Sequence, residues 1–302
     1  MRPAILSLRP AIDHALSRIH VVCDSHHCRS RQILRSFPGG RRGVRVGARW
    51  YCGVDCFVEA AGTTLFALAN QRVIEIPRSP RLTLGLVMLS KGYLTTEQLR
   101  VASDQSQWRG EDIDATLIRL GMATEKQIAM ARSVQWGYPV LAQEHIGHMV
   151  QADIPQSILH SCSAIPLHYS HAAKRILLGF VYRIEHGLLR SIEQITGCRV
   201  EPCFITASDL AEQSERLTKI PNYSETFIED PGPPERMARA LGRTAVVIRA
   251  GEARFTQCKG NIWVRMTGKN GVADVVFRPE TAAVGPEEPQ SDFSGELISS
   301  FG

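Results

Sequence analysis

The sequence predicts an α+β fold made of several small domains: a zinc knuckle module, a helical-repeat and α/β domain, and a small β-rich domain at the end. Three observations predict it. Four cysteines form two close pairs, Cys23 with Cys28 and Cys52 with Cys56; a helical pattern recurs with an offset of 29 residues; and alternating apolar stretches follow a Pro- and acid-rich segment.

Composition supports a globular protein. The 302 residues are 44% hydrophobic and 22% charged, which is typical of a chain that forms two or three modest domains. The longest apolar run, residues 176–182, is too short to cross a bilayer, so we expect a cytoplasmic protein.

The division into domains follows changes of pattern along the chain. We expect a zinc module with a preceding helix at 1–62, a connector at 63–79, a larger domain at 80–219 (helical over 80–136, α/β over 150–219), a linker at 220–235, a β-rich domain at 236–281 and a disordered tail at 282–302.

The two cysteine pairs have the spacing of a metal site. Structural Zn²⁺ takes four N or S ligands in a tetrahedron, commonly two from each of two sharply turned segments. We predict Cys23, Cys28, Cys52 and Cys56 as ligands, with His26 as an alternate, because it lies three residues after Cys23. A closed site of this kind is structural, and the layout resembles a treble-clef zinc module.

The duplicated helical pattern begins at residue 80. Its halves, "LSKGYLTTEQLRVA" and "IRLGMATEKQIAMA", align Gly92 with Gly121 and Thr95 with Thr124. Each glycine can end a helix in the left-handed conformation, and each threonine can cap the next helix with a glutamine three residues later. Two stacked helix pairs are therefore expected.

Beyond the repeat, the pattern predicts a helix, two strands, a helix, a strand and a helix. After the linker, residues 236–241 are predicted helical, and "TAVVIRA", "ARFTQC", "NIWVRMTG" and "VADVVFRP" are predicted strands. The turn "TGKNG" joins the last two strands in a hairpin.

This order of elements resembles a known family. The helix-pair repeat, "GYPV", "AIPLHY" and "ITGCRVEPCFITASDL" are similar to the N-terminal domain of GspE/PilB-type ATPases of type II secretion and type IV pilus assembly, over residues 80–218. The resemblance implies a cytoplasmic regulatory or docking domain that contacts platform proteins or an ATPase component. In one subfamily it implies binding of cyclic di-GMP.

The sequence departs from that family in two ways. It has no G-x-x-x-x-G-K-[ST] loop to hold nucleotide phosphates, so we expect no enzyme activity. The repeat starts that bind cyclic di-GMP are also altered: Arg81 lies two residues too early, Gly85 is kept, and Gln105 only flanks the expected glutamine position. Asp112 and Asp114 would repel a phosphodiester.

The N-terminal segment is strongly basic, with ten Arg against three Asp in residues 1–56. Arg41, Arg42, Arg45 and Arg49 form a candidate patch for an anion or nucleic acid.

These observations favour a non-enzymatic adaptor or regulator of a type II secretion or type IV pilus-like system that acts by binding another protein. Two alternatives stay open: a sensor of cyclic di-GMP, and a zinc-dependent nucleic-acid-binding protein.

Overall fold

The computed structural model describes residues 20–28, 31–33, 43–71, 82–141, 153–218 and 225–279. These residues form a mixed α+β structure. Residues 1–19, and with them the predicted N-terminal helix, lie outside the described part, as do Arg41, Arg42, Arg81 and the whole of the predicted tail, 282–302.

Helices and strands follow one another in this order. The described helices are α1 (Val54–Asn70), α2 (Leu84–Ser90), α3 (Thr96–Arg109), α4 (Ile113–Arg119), α5 (Glu125–Trp136), α6 (Gln156–Ser161), α7 (His186–Thr196), α8 (Ala207–Thr218) and α9 (Pro234–Ile248). The described strands are β1 (His20–Val22), β2 (Arg31–Ile33), β3 (Val44–Val46), β4 (Arg49–Tyr51), β5 (Ala164–Ser170), β6 (Arg175–Phe180), β7 (Arg199–Phe204), β8 (Glu225–Glu229), β9 (Ala250–Cys258), β10 (Asn261–Gly268) and β11 (Gly271–Arg278).

The largest sheet joins the two ends of the chain. Its strand order is β4-β3-β9-β10-β11-β8, so the hairpin next to the cysteines pairs with strands about 200 residues later in the sequence. Arg45 on β3 lies opposite Glu252 on β9, in parallel register. The segments predicted as a zinc module and as a β-rich domain therefore share one sheet.

One face of this sheet is covered by α1 and α9, which lie against each other. Phe57, Ala61 and Leu65 of α1 are fully buried in the same apolar cluster as Met237 and Leu241 of α9. Their spacing of four along each helix places these side chains on one face. Burial of this face holds the cysteine module to the last strands.

The opposite face of the sheet packs against α7. The carbonyl of Gln257 on β9 accepts a hydrogen bond from Ser191 Oγ (3.2 Å), and that of Phe255 accepts one from Gln194 Nε2 (3.1 Å). On its other side α7 covers the three-stranded sheet β5-β6-β7, and its Ile192 shares a core with Trp263 of β10. This one helix lies between two sheets.

A buried charge network also joins these layers. Asp274 on β11 is fully buried, pairs with Arg265 (2.8 Å) and accepts a hydrogen bond from Trp263 Nε1 (2.6 Å). Arg265 in turn donates to the carbonyl of Asp153, which precedes α6. The network is satisfied by partners from both layers, as buried charges require.

The duplicated capping pattern is confirmed. The hydroxyls of Thr95 and Thr124 each accept a hydrogen bond from the backbone N–H three residues on, and the side-chain oxygen of the glutamine at that position accepts one from the threonine N–H. Gly92 and Gly121 have φ of +67° and +65°, the left-handed conformation that glycine adopts without strain. The predicted elements of the α/β unit are confirmed as α6, β5, β6, α7, β7 and α8.

Three predictions of local structure were wrong. Most of "TAVVIRA" belongs to α9, because Leu241, Ala245 and Ile248 continue the buried helical face, although the β-branched residues favour a strand. Within the predicted linker, residues 225–229 form β8, which pairs in parallel with β11. The first part of the predicted connector, residues 63–70, completes α1.

Candidate functional site

The structure brings the four predicted cysteine ligands together. The sulfur atoms of Cys23, Cys28, Cys52 and Cys56 all lie within 4.8 Å of one another. The Sγ–Sγ distance is 3.5 Å from Cys28 to Cys52 and 3.8 Å from Cys52 to Cys56. A tetrahedral zinc with Zn–S bonds of about 2.3 Å needs sulfur atoms roughly 3.8 Å apart, so this group fits a metal ion.

Short turned elements position these side chains. Cys23 directly follows β1, Cys52 directly follows β4, and Cys56 lies in the first turn of α1. Asp24 ties the first segment to β4, because its carboxylate accepts a hydrogen bond from the Trp50 N–H (2.8 Å) and its own N–H donates to the Trp50 carbonyl (2.9 Å).

The backbone also contributes to the site. The N–H of Cys52 donates to Cys23 Sγ at 3.4 Å, a contact that stabilises a thiolate more than a thiol. In the metal-free protein, burial and the adjacent thiols of Cys52, Cys28 and Cys23 raise the pKa of Cys56 to about 12. A divalent cation would reverse that preference, since metal ligation requires the thiolate.

The alternate ligand His26 is not part of this group. It is exposed and absent from the described cluster of metal-binding side chains. Its neighbour His27 faces Glu59 on α1 at 3.8 Å, and Glu59 also accepts a hydrogen bond from Ser25 Oγ (2.8 Å). These polar contacts fix the first turn of the knuckle to α1.

The candidate basic patch is partly neutralised. Arg45 pairs with Glu252 at 3.1 Å, and the same carboxylate is 3.0 Å from Arg254. Arg49 is exposed at the start of β4. Arg41 and Arg42 fall outside the described residues, and the two described members of the patch lie on the β3–β4 hairpin that precedes Cys52.

The helical repeat uses its candidate ligand residues for packing. A β-carbon added at Gly85 would lie 2.9 Å from a methyl group of Leu99, so the glycine makes room for that side chain. Gln105 is half-buried on α3. In the second repeat, Asp114 takes the place of Gly85; it is buried and pairs with Arg132 on α5 at 2.7 Å.

Sequence reasoning missed the exposed apolar side chains of the helical unit, which comprises α2 to α5. Thirteen large hydrophobic side chains of the described chain are exposed, and six of them belong to this unit: Leu82, Leu86, Trp108, Ile118, Met130 and Val134. Trp108 at the end of α3 is 81% exposed. The spacing of four between Met130 and Val134, which places both on one side of α5, was a signal of this surface in the sequence.

Parts of this surface belong to adjacent helices. Gln135 Nε2 on α5 donates to the carbonyl of Leu82 at 2.8 Å, just before α2 begins. The start of α2, where Leu82 and Leu86 are exposed, therefore lies next to the end of α5. Exposed apolar groups that cluster in this way commonly mark protein interaction sites.

Comparisons with known proteins support the resemblance stated above. The type IV pilus assembly ATPase PilB of Thermus thermophilus is 28% identical over 153 residues, which cover 50% of this chain and 17% of PilB. The middle of this chain resembles a GspE/PilB-type N-terminal domain, without the ATPase motor. The chain therefore matches about a sixth of the length of that relative.

Two solved structures were also matched. MshE with cdg is 19% identical, covers 45% of this chain and 99% of that one, and has a TM-score of 0.38. The N-terminal domain of XpsE is 19% identical, covers 44% and 92%, and has a TM-score of 0.35. No protein family matches the chain in a family comparison. In the described part of the chain, no helix has the length and hydropathy needed to span a membrane.

Proposed function

We propose that the protein is a non-enzymatic cytoplasmic adaptor or regulator of a type II secretion or type IV pilus-like system, which binds a platform protein or an ATPase component through its GspE/PilB-like helical unit. The apolar side chains exposed on α2 and α5, together with Trp108 at the end of α3, carry this proposal. The similarity to PilB supports it by indicating the kind of assembly.

Trp108 is the strongest candidate for a central contact. Its ring is almost fully exposed, and the guanidinium of Arg109 lies 5.7 Å from the ring centre. Trp and Arg are the residues most enriched among those that dominate the binding energy of protein interfaces. A side chain of this size left in water is expected to be covered in the complex.

The test is a binding measurement with the full chain. Assembly ATPases and platform proteins encoded in the same genome would be purified and titrated against it by biolayer interferometry. We expect Trp108→Ala with Val134→Asp to weaken binding to the true partner by about tenfold or more. Val247→Asp is the matched control, because Val247 is 72% exposed on α9, outside the helical unit.

Two outcomes would contradict the proposal. In one, the full chain binds none of these components. In the other, the control variant weakens binding as much as the paired substitution does. Hydrolysis of a nucleotide by the purified chain would contradict the non-enzymatic part.

We also infer that the four cysteines hold a structural Zn²⁺. The Sγ–Sγ distances fit a tetrahedral ion, and four protein ligands leave no open position for a substrate. The zinc would supply folding free energy by fixing Cys23 and Cys28 against β4 and α1. Elemental analysis should find one zinc per chain, and its absence from protein purified without chelators would overturn this inference.

Cyclic di-GMP is a weaker candidate as a ligand. The Asp114 carboxylate stands where close approach of a ligand needs a glycine, and Leu99 fills the space beside Gly85. Calorimetric titration of the full chain with cyclic di-GMP should give no binding heat at tens of micromolar.

A further inference from the structure

A groove runs between α1 and α9 on the outside of the six-stranded sheet. The helices are antiparallel and approach closely, because a β-carbon at Gly62 would lie only 3.8 Å from that of Ala238. Beside this contact the helices leave an open groove of about 430 Å³. Val58 and Phe66 form its apolar wall, and the Phe66 side chain is 60% exposed.

Arg239 lines the groove, and two further arginines lie along the same side of α9. Arg236, Arg239 and Arg243 are exposed on α9 with spacings of three and four, which places them along one side of the helix. Within the described residues none of the three takes part in an ion pair. The groove also contains Glu235 and Glu59, of which Glu59 is already engaged by Ser25. The groove and the adjacent side of α9 thus combine an apolar wall with three arginines and two carboxylates, a net charge of +1.

The chain has a segment of matching chemistry. Residues 280–302 contain five carboxylates and no Lys or Arg. Its largest apolar residues are Phe293, Leu297, Ile298 and Phe301. An acidic segment with apolar anchors has carboxylates for the arginines of α9 and apolar side chains for the wall of the groove.

The described chain ends beside β8, the strand that leads into α9. Arg278, at the end of β11, pairs with Glu229 at 3.4 Å, and α9 begins five residues after Glu229. The 14 residues between 279 and 293 can span up to about 48 Å, whereas the 15-residue α9 is about 22 Å long. The segment can therefore reach any part of the groove.

We propose that the groove between α1 and α9 binds residues 280–302 of the same chain. The apolar side chains of the segment contact Phe66 and Val58, and its carboxylates pair with the arginines of α9. Because the segment is tethered, its effective concentration is about millimolar, so modest contacts suffice and other acidic segments must compete with it. This interaction is independent of docking by the helical unit.

Photo-crosslinking in the full chain tests the proposal. With p-benzoylphenylalanine in place of Phe293, irradiation should join position 293 to residues of α1 or α9 in the same chain, as mapped by mass spectrometry. Arg239→Glu with Arg243→Glu should reduce the yield about fivefold, and so should an increase in salt from about 50 to about 500 mM. Arg190→Glu, which changes an exposed arginine on α7, should leave it unchanged.

The alternatives give different products. Crosslinks between two chains, visible as a dimer band, would assign the groove to a second copy and overturn the proposal. Crosslinks to other elements, or none within the chain, would also overturn it. Circular dichroism melting of the charge-reversed chain checks that it folds. If it does not fold, the salt dependence of the crosslinking yield in the chain with its arginines intact decides the question.

Discussion

Gly242 on α9 offers a sharp test of the packing that joins the two ends of the chain. A β-carbon at this position would lie 2.6 Å from Cγ2 of Val58 on α1, well inside van der Waals contact. Val58 cannot easily turn away, because a β-branched side chain in a helix has one preferred rotamer. Gly242→Ala should therefore push the two helices apart.

The size of the effect follows from two opposing contributions. Overpacking of this kind costs about 1–3 kcal/mol, whereas alanine in place of glycine inside a helix gains about 1 kcal/mol. We expect a net loss of about 1 kcal/mol in the free energy of unfolding. Gly62→Ala is the matched control: it lies in α1 with 3.8 Å of room, so it should gain up to about 1 kcal/mol.

Urea denaturation of the metal-loaded chain measures both changes. In a Val58→Ala background, which removes the obstructing methyl group, Gly242→Ala should become stabilising. If Gly242→Ala stabilises the wild-type chain as much as Gly62→Ala does, α1 does not pack against α9 as described, and the shared unit of the first and last elements is wrong.

Three further predictions concern charges and the metal. Cys56→Ser should lower the bound zinc below one per chain, and wild-type zinc affinity should fall with falling pH because protons compete for the thiolates; unchanged metal content would exclude Cys56 as a ligand. Asp274→Asn should cost about 3–5 kcal/mol in urea unfolding, and Arg265→Met with Asp274→Leu markedly less; equal losses would contradict the buried pair. Burial alone would raise the pKa of Glu252. The hydrogen bonds from Arg254 and Arg45 outweigh it, so the pKa lies below its ordinary value of 4.5. The charged Glu252 side chain therefore stabilises the fold above pH 4.5, and this stabilisation is lost as the pH falls through the lowered pKa. In thermal melting at a series of pH values, Glu252→Gln should lose less stability at acid pH than the wild-type chain does. An equal loss in both chains would refute this.

The local elements of this protein were largely predictable from its sequence. Thr95 and Thr124 with their glutamines cap helices because capping depends on groups three residues apart. The spacing of the cysteines predicted which four of them the structure brings together, because each pair lies within one short turned segment. The β10–β11 hairpin follows in the same way from its turn residues.

Long-range pairing was decided only by the tertiary structure. Nothing near Arg45 or Glu252 in the sequence indicates that β3 lies beside β9, because parallel pairing of remote strands leaves no local pattern. For the same reason the local sequence of residues 225–229 predicts a linker, although these residues form β8 beside β11. The β-branched end of α9 has strand propensity, and burial against α1 and the sheet overrides it, because the apolar area removed from water outweighs a propensity of a few tenths of a kcal/mol per residue.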